Sequence, residues 1–146
     1  MRICRSTGIL GMVGLRCLIV DDNAPFVAAA RRILEGGQLT VLGAAATGAE
    51  ALERADRLAP DVILLDIDLG GESGLDVARD LAQRAVGCPP LIVLVSGHPE
   101  DDFADLIAEG PAVGFVAKSE LSAAAIVDLV RTRGAATGNR HHRESK

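Results

Sequence analysis

The sequence predicts an α/β domain of (βα)5 type, a doubly wound five-stranded parallel sheet with helices on both faces. Five short apolar runs recur along the chain, and segments of helical length with apolar residues at helical spacing lie between them. Runs that are apolar throughout are typical of strands buried on both faces. Strands that alternate with helices favour parallel pairing through right-handed crossovers, which place helices on both faces of the sheet.

Aliphatic residues dominate the predicted strands. These strands cover residues 15–20, 39–44, 61–65, 91–95 and 113–117, and the predicted helices cover residues 24–35, 48–58, 74–85, 100–109 and 120–132. Gly36-Gly37 is a stop signal after the first helix, and Pro99 is a start signal for the fourth. Thr47 and Glu50 open the second helix with the spacing of a capping box, in which each side chain accepts a hydrogen bond from a free backbone N–H.

Length and composition indicate one folded domain with free ends. The chain has 146 residues, 49% of them hydrophobic, which suffices for a single core. The expected organisation is a flexible N-terminal extension at 1–14, a folded domain at 15–133 and a flexible C-terminal tail at 134–146. The net charge of −5 and the absence of Trp and Tyr disfavour nucleic-acid binding, which relies on basic clusters or aromatic stacking.

Cysteine content and hydropathy favour the cytoplasm. Cys4, Cys17 and Cys88 are odd in number and too far apart in the sequence for a zinc or redox motif, so no disulfide framework is expected. No apolar run reaches the roughly 18 residues that a bilayer-spanning helix needs. We therefore expect a cytoplasmic protein that does not enter the membrane.

Polar side chains capable of chemistry follow the ends of four predicted strands. Asp21-Asp22 follows the first strand, Asp66 the third, Ser96 the fourth and Lys118 the fifth. In an open doubly wound sheet, the ligand site lies beyond the carboxyl ends of the strands. Carboxylates that share a site raise one another's pKa unless a cation neutralises them, and such oxygen ligands suit Mg²⁺. A lone Asp at a strand end is commonly a cap or turn residue, so the prediction of a site depends on the convergence of these strand ends.

Four segments resemble, in order and in spacing, the receiver domains of two-component response regulators. They are LIVDDN at 18–23, VILLDIDLGGESGLDVA at 62–78, LIVLVSGH at 91–98 and VGFVAKSEL at 113–121. The resemblance extends over residues 15–133 and implies a flavodoxin-like fold with strand order 2-1-3-4-5. It also implies the function of a phosphorylation-dependent signalling switch in a phosphorelay from histidine kinase to aspartate.

The resemblance assigns a role to each residue of the predicted site. Asp66 would accept the phosphoryl group, and Ser96 and Lys118 would each bind a phosphoryl oxygen. The implied ligands of Mg²⁺ (or Mn²⁺) are Asp22, Asp66, the backbone carbonyl of Asp68 and, mainly through metal-bound water, Asp21. The chemistry is coherent, because an anionic carboxylate that attacks an anionic phosphoryl group needs positioning and charge neutralisation.

The resemblance also implies roles in switching and tuning, which add Phe115 and His98 to the residues already named. Ser96 and Phe115 match the pair that moves on phosphorylation, with Phe115 turning inward when the Ser96 loop closes. Asp68 and His98 lie two residues beyond Asp66 and Ser96, at positions that in the family tune the removal of the phosphoryl group by water. Ordinary loop polarity explains Asp68 and His98 equally well.

Two positions depart from the common family pattern. Gly70 stands where many members have Pro, and Gly71 beside it loosens the same loop. Ser119 stands where many members have a cis-linked Pro. Since a cis bond before a non-proline residue costs about 2.5–4 kcal/mol, we expect a trans bond between Lys118 and Ser119.

The resemblance implies protein partners. A histidine kinase or histidine phosphotransfer protein would supply the phosphoryl group. The output would be a downstream protein or a homodimer, bound through the face of the fourth helix, fifth strand and fifth helix. No direct DNA binding is expected of these 146 residues, although they could be a fragment of a longer regulator.

Two other classes of protein remain open from the sequence. A phosphatase with an aspartyl-phosphate intermediate also gathers acids and a lysine at a sheet edge, and Asp68 has the spacing of its general acid. We nevertheless expect no enzyme acting on an external substrate, because no segment is available to enclose one. The second alternative is a degenerate receiver that serves as a fixed interaction module.

Overall fold

The computed structural model describes residues 14–37, 39–84, 90–97, 105, 108 and 110–135. The strands within these residues are β1 Leu15–Val20, β2 Leu39–Ala45, β3 Val62–Asp66, β4 Asp68–Leu69, β5 Glu72–Ser73, β6 Leu91–Ser96 and β7 Gly114–Ala117. The helices are α1 Ala24–Glu35, α2 Gly48–Leu58, α3 Gly74–Arg84 and α4 Ala123–Ala135, with a 3-10 turn at Lys118–Glu120. None of the described helices is long and apolar enough to cross a membrane.

Five strands form one parallel sheet in the order β2-β1-β3-β6-β7. The short strands β4 and β5 pair antiparallel as a separate hairpin that directly follows β3. With this hairpin set aside, the order is 2-1-3-4-5, and the predicted doubly wound sheet is confirmed. The order reverses between β1 and β3, which places the ligand crevice at their carboxyl ends.

Helix boundaries agree with the prediction at the start of the chain and differ near its end. Helices α1 and α2 have the predicted bounds. The predicted fifth helix at 120–132 was placed too early, because α4 begins at Ala123, where the Ser122 hydroxyl accepts a hydrogen bond from Ala125 N at 3.0 Å. Of the predicted fourth helix, only Asp105 and Ala108 are described, and both are helical. The predicted flexible ends lie almost entirely outside the described residues and stay predictions.

The sheet separates two apolar layers. Alternate residues of β1 and β3 point to opposite faces, so Ile19 and Leu64 pack with α1 and α4, whereas Leu18 and Leu65 pack with α2 and α3. Burial on both faces is the reason that these strands are apolar throughout. Cys17 lies in the first layer as a free thiol, and burial raises its pKa to about 12, which keeps it protonated and unreactive.

Side-chain caps fix α2 at both ends. At its start, Thr47 Oγ1 accepts a hydrogen bond from Glu50 N at 3.1 Å, as the predicted capping box requires. Glu50 Oε1 also reaches back, but it accepts from Ala46 N at 2.8 Å, one residue before the N-cap. At its end, the Arg16 guanidinium donates to the carbonyl oxygens of Leu58 and Ala59 at 2.6 and 3.0 Å. These bonds satisfy backbone groups that a helix leaves unpaired at its termini.

Candidate functional site

Four strands deliver polar side chains to the carboxyl edge of the sheet. Asp21 follows β1, Asp66 ends β3, Ser96 ends β6 and Lys118 follows β7. Asp21, Asp66 and Ser96 are buried although they are polar. Ser96 pairs in register with Ala117, the residue before Lys118, so the two side chains leave the sheet from adjacent strands.

Lys118 joins the two buried carboxylates. Its Nζ donates a hydrogen bond to Asp66 Oδ2 at 3.2 Å and forms an ion pair with Asp21 Oδ2 at 2.9 Å. The side-chain exposures are 21% for Lys118, 0% for Asp21 and 7% for Asp66, so the cluster is largely shielded from water. A shielded ammonium between two carboxylates compensates charges that would otherwise repel.

Backbone donors orient the other oxygen of each carboxylate. Asn23 N donates to Asp21 Oδ1 at 2.8 Å, and Asp68 N donates to Asp66 Oδ1 at 3.1 Å. In both residues the Oδ2 atom is thereby turned toward Lys118. The acids are held in position by the turns that follow β1 and β3, not by the lysine alone.

The environment shifts the pKa of two groups. Burial raises the pKa of Asp66, and the neighbouring Asp21 carboxylate adds to this, while the Asp68 N–H and Lys118 act in the opposite direction. For Lys118, burial lowers the pKa, but the Asp21 and Asp66 carboxylates outweigh it and raise the pKa above its ordinary value. Lys118 therefore stays charged, and ionised Asp66 is less favoured than an aspartate in water.

The arrangement fits a divalent cation. Asp21, Asp22 and Asp66 can each offer one oxygen, and these oxygens lie within 4.8 Å of one another. Asp21 Oδ2 is buried and accepts no hydrogen bond from the described residues, and its contact with Lys118 is an ion pair at 2.9 Å. A buried carboxylate oxygen in this condition is the kind of atom that a metal ion satisfies.

Gly70 contributes to the site through its backbone. It has a φ of +53°, and a Cβ atom built on it would overlap the Asp22 carboxylate. Only Gly adopts such a φ without strain and also allows the close approach. Pro, which many family members carry here, has φ fixed near −65° and could not replace Gly70 in this loop.

We predict that Gly70→Ala weakens the affinity for Mg²⁺ by displacing Asp22, in addition to lowering stability by about 1–2 kcal/mol through its positive φ. Gly71→Ala is the matched control, because Gly71 also has a positive φ of +107° but a Cβ there would meet nothing within 4 Å. Thermal melts titrated with Mg²⁺ measure both effects. Equal apparent Mg²⁺ affinities in the two variants would contradict the predicted displacement of the Asp22 carboxylate by the added Cβ atom.

The other residues predicted to act in switching and tuning lie outside the cluster around Lys118 or outside the described residues. Phe115 lies on β7, partly buried against the apolar layer of α2 and α3. Asp68 is exposed in β4, and His98 lies outside the described residues. The bond between Lys118 and Ser119 is trans, as expected, since the described part of the chain contains no cis peptide.

Three contacts were not anticipated from the sequence. The Phe26 ring lies under Lys118 Nζ, 4.5 Å from its centroid. Glu72 in β5 accepts a hydrogen bond from Gly48 N at 2.8 Å and so attaches the hairpin after β3 to the start of α2. Gly70 approaches Asp22, as described above. Each contact joins residues far apart in the chain, and no local pattern signals them.

A doubly wound parallel sheet of order 2-1-3-4-5, with an acidic cluster and a lysine at its carboxyl edge, is the arrangement expected of a receiver-type α/β domain. The family model of the response regulator receiver domain matches residues 17–131. The protein belongs to this family.

Known relatives agree with this assignment. The chain is 29% identical over 106 residues to the DNA-binding transcriptional activator EvgA of Escherichia coli, covering 73% of this chain and 51% of that protein. It is 37% identical over 105 residues to protein-glutamate methylesterase/protein-glutamine glutaminase 5 of Myxococcus xanthus, covering 71% of this chain and 30% of that enzyme. The chain thus spans about half the length of the first relative and about a third of the second.

Solved structures show the same fold. The signal receiver domain of the response regulator NarL from Mycobacterium tuberculosis superposes with a TM-score of 0.72 at 29% identity, covering 82% of this chain and 98% of that one. The response regulator domain of CheB from Thermotoga maritima has a TM-score of 0.70 at 26% identity, covering 84% and 97% of the two chains.

Proposed function

We propose that this protein is a phosphorylation-dependent switch that accepts a phosphoryl group on Asp66 and signals through protein contacts. The observation that carries the proposal is the position of Lys118 Nζ, 2.9 Å from Asp21 and 3.2 Å from Asp66 at the carboxyl edge of the sheet. This geometry places a fixed positive charge beside a carboxylate that is held by the backbone, in a pocket largely closed to water.

In the proposed reaction, a phosphoryl group moves from a donor atom to a carboxylate oxygen of Asp66. An oxygen of Asp66 forms a bond to phosphorus, while the bond from phosphorus to the donor atom breaks and its electron pair leaves with the donor. A phosphohistidine donor leaves as imidazole, and an acyl phosphate leaves as a carboxylate. Lys118 offsets the negative charge on the phosphoryl oxygens, and the Ser96 hydroxyl is the proposed second donor to them.

The metal belongs to the same proposal. Asp21, Asp22, Asp66 and the backbone carbonyl of Asp68 are the proposed ligands of Mg²⁺ or Mn²⁺. The bound ion would supply further charge neutralisation at the phosphoryl oxygens. The three carboxylates fit this role because their oxygens converge within 4.8 Å.

We propose a histidine kinase or a histidine phosphotransfer protein as the donor and the cytoplasm as the location, because the three cysteines lack the pairing of a disulfide framework. Output to a downstream protein or a second copy of the chain would pass through Ser96 and Phe115 to the face formed by β7, α4 and the predicted fourth helix, of which only Asp105 and Ala108 are described. The roles of Asp68 and His98 in tuning the phosphoryl lifetime are part of the same proposal.

We also propose that the protein catalyses only its own phosphorylation and dephosphorylation. The competing phosphatase hypothesis requires Asp68 to act as a general acid on each substrate. Steady release of phosphate from a phosphate ester such as p-nitrophenyl phosphate would favour the phosphatase, whereas the switch is expected to take up one phosphoryl group per chain.

The decisive experiment is incubation with Mg²⁺ and acetyl phosphate, followed by mass spectrometry of the intact protein and of its peptides. We expect one phosphoryl group, located on Asp66. Asp76→Asn is the matched control, since Asp76 is an exposed carboxylate on α3 that pairs only with the nearby Arg79 in the described contacts, and it should be labelled like wild type. Failure to label wild type, or labelling at a residue other than Asp66, would overturn the proposal.

A further inference from the structure

Phe26 is the one aromatic residue that the structure places against the site lysine, within the described residues. Lys118 Nζ lies over its ring, 4.5 Å from the centroid. The aromatic face carries partial negative charge, so it attracts an ammonium group at this distance. The ring is thus a third partner of Lys118 beside the two carboxylates.

The position of the ring is fixed by the turn that also orients Asp21. Phe26 lies in the first turn of α1, and its N–H donates to the Asn23 side chain at 3.0 Å. The N–H of Asn23 donates in turn to Asp21 Oδ1 at 2.8 Å. The same short segment therefore sets both the carboxylate and the aromatic face that Lys118 contacts.

Lysine needs such support because its side chain is long and flexible. The carboxylate of Asp66 loses its own negative charge during the reaction, since one of its oxygens becomes bonded to phosphorus. The attraction to Asp66 is then altered at the moment when Lys118 must pair with a phosphoryl oxygen. The attraction between Lys118 and the Phe26 ring does not depend on the charge of Asp66.

We propose that Phe26 is a positioning residue for phosphoryl transfer, whose ring holds the ammonium of Lys118 at the carboxyl edge of the sheet. This inference rests on the proposed function. The contact that links Phe26 to the site is the one with Lys118, so any effect of the ring on the transfer would pass through Lys118. Its other role is apolar packing, because it also contacts the layer formed with α1 and α4.

Substitutions separate positioning from packing. Phe26→Leu keeps an apolar side chain but removes the ring, and we expect labelling of Asp66 by acetyl phosphate to slow by roughly two- to tenfold, the range that a cation–π contact supplies. Phe26→Tyr keeps the ring and should retain a rate close to that of wild type. In a Lys118→Met background, Phe26→Leu should cause no additional slowing, because its partner is gone.

A second readout does not depend on phosphorylation or on metal. The ring current of Phe26 should move the ε-methylene proton resonances of Lys118 upfield in the NMR spectrum of the metal-free protein. This shift should persist in Phe26→Tyr and disappear in Phe26→Leu. A merely structural role for Phe26 would not predict the coupling to Lys118 in the rate measurements.

The outcomes are distinguishable. Normal labelling of wild type together with an unchanged rate in Phe26→Leu would overturn the inference and leave the proposed function intact. Equal slowing by Phe26→Leu in the wild-type and Lys118→Met backgrounds would overturn it as well, because the effect would then be packing. Absence of labelling in wild type would overturn the proposed function and this inference with it.

Discussion

Asp66→Asn is expected to abolish phosphorylation while leaving the metal-free protein at least as stable as wild type. The substitution removes the oxygen nucleophile, so no aspartyl phosphate can form. It also removes a negative charge from a buried site that already contains Asp21. Loss of function without loss of stability distinguishes a functional carboxylate from one that holds the fold together.

The direction of the stability effect follows from the pKa of Asp66. Burial and Asp21 raise this pKa above its ordinary value. A carboxyl group whose pKa is higher in the folded than in the unfolded protein contributes stability below its unfolded pKa, and that contribution is lost as the pH rises through its folded pKa. At neutral pH, ionised Asp66 therefore disfavours the fold, and Asn at this position removes the penalty.

Metal dependence provides the companion measurement. Mg²⁺ should raise the melting temperature of wild type, because it binds the native state alone. The rise in melting temperature should be smaller in Asp66→Asn and in Asp22→Asn, because each variant loses one proposed metal ligand. Asp22→Asn differs in that it keeps the nucleophile. Asp22→Asn should still be labelled, but slowly and at higher Mg²⁺. A wild-type melting temperature that does not respond to millimolar Mg²⁺, together with undiminished labelling of Asp66→Asn, would refute the mechanism.

The fold could be predicted because the sequence pattern that specifies it, a short apolar run for each strand, is local and recurs along the chain. Each strand of the sheet is a short apolar run, and burial on both faces requires that pattern. The edge that carries the site follows from topology, which places the ends of parallel strands together. For this reason Asp21, Asp66, Ser96 and Lys118 could be selected from the sequence before any distance was known.

Contacts that depend on side-chain direction and loop conformation could not be predicted in this way. The Phe26 ring meets Lys118 because α1 begins immediately beside the turn at Asn23, and apolar spacing alone suggests only a core residue. The positive φ of Gly70 brings its backbone against Asp22. From the sequence, Gly70 is noticeable only as a glycine at a position where many family members have Pro. The start of α4 had a usable signal, since Ser122 is a common N-cap residue type.

Lys118→Met is expected to destabilise the metal-free protein strongly and to slow phosphorylation. Met has a similar length and keeps the apolar stem, but it leaves the buried carboxylates of Asp21 and Asp66 without their cation. Removing one partner of a buried ion pair costs about 3–5 kcal/mol, and the 21% exposure of Lys118 reduces the expected loss to about 2–3 kcal/mol. The raised pKa of Lys118 means that its contribution is fully present at neutral pH and is lost only as the pH rises through its folded pKa.

The double variant Lys118→Met/Asp66→Asn tests the cause of this loss. If repulsion between Asp21 and Asp66 destabilises Lys118→Met, then neutralising Asp66 should restore much of the stability, and Mg²⁺ should restore part of it in the single variant. Arg57→Met is the matched control, because Arg57 is 59% exposed and lies 3.9 Å from Glu53 in a surface pair, for which we expect a change below about 0.5 kcal/mol. Urea unfolding of the variants at neutral pH, with and without Mg²⁺, gives the free energies. A loss in Lys118→Met that neither Asp66→Asn nor Mg²⁺ reduces would show that the lysine acts through packing rather than through its charge.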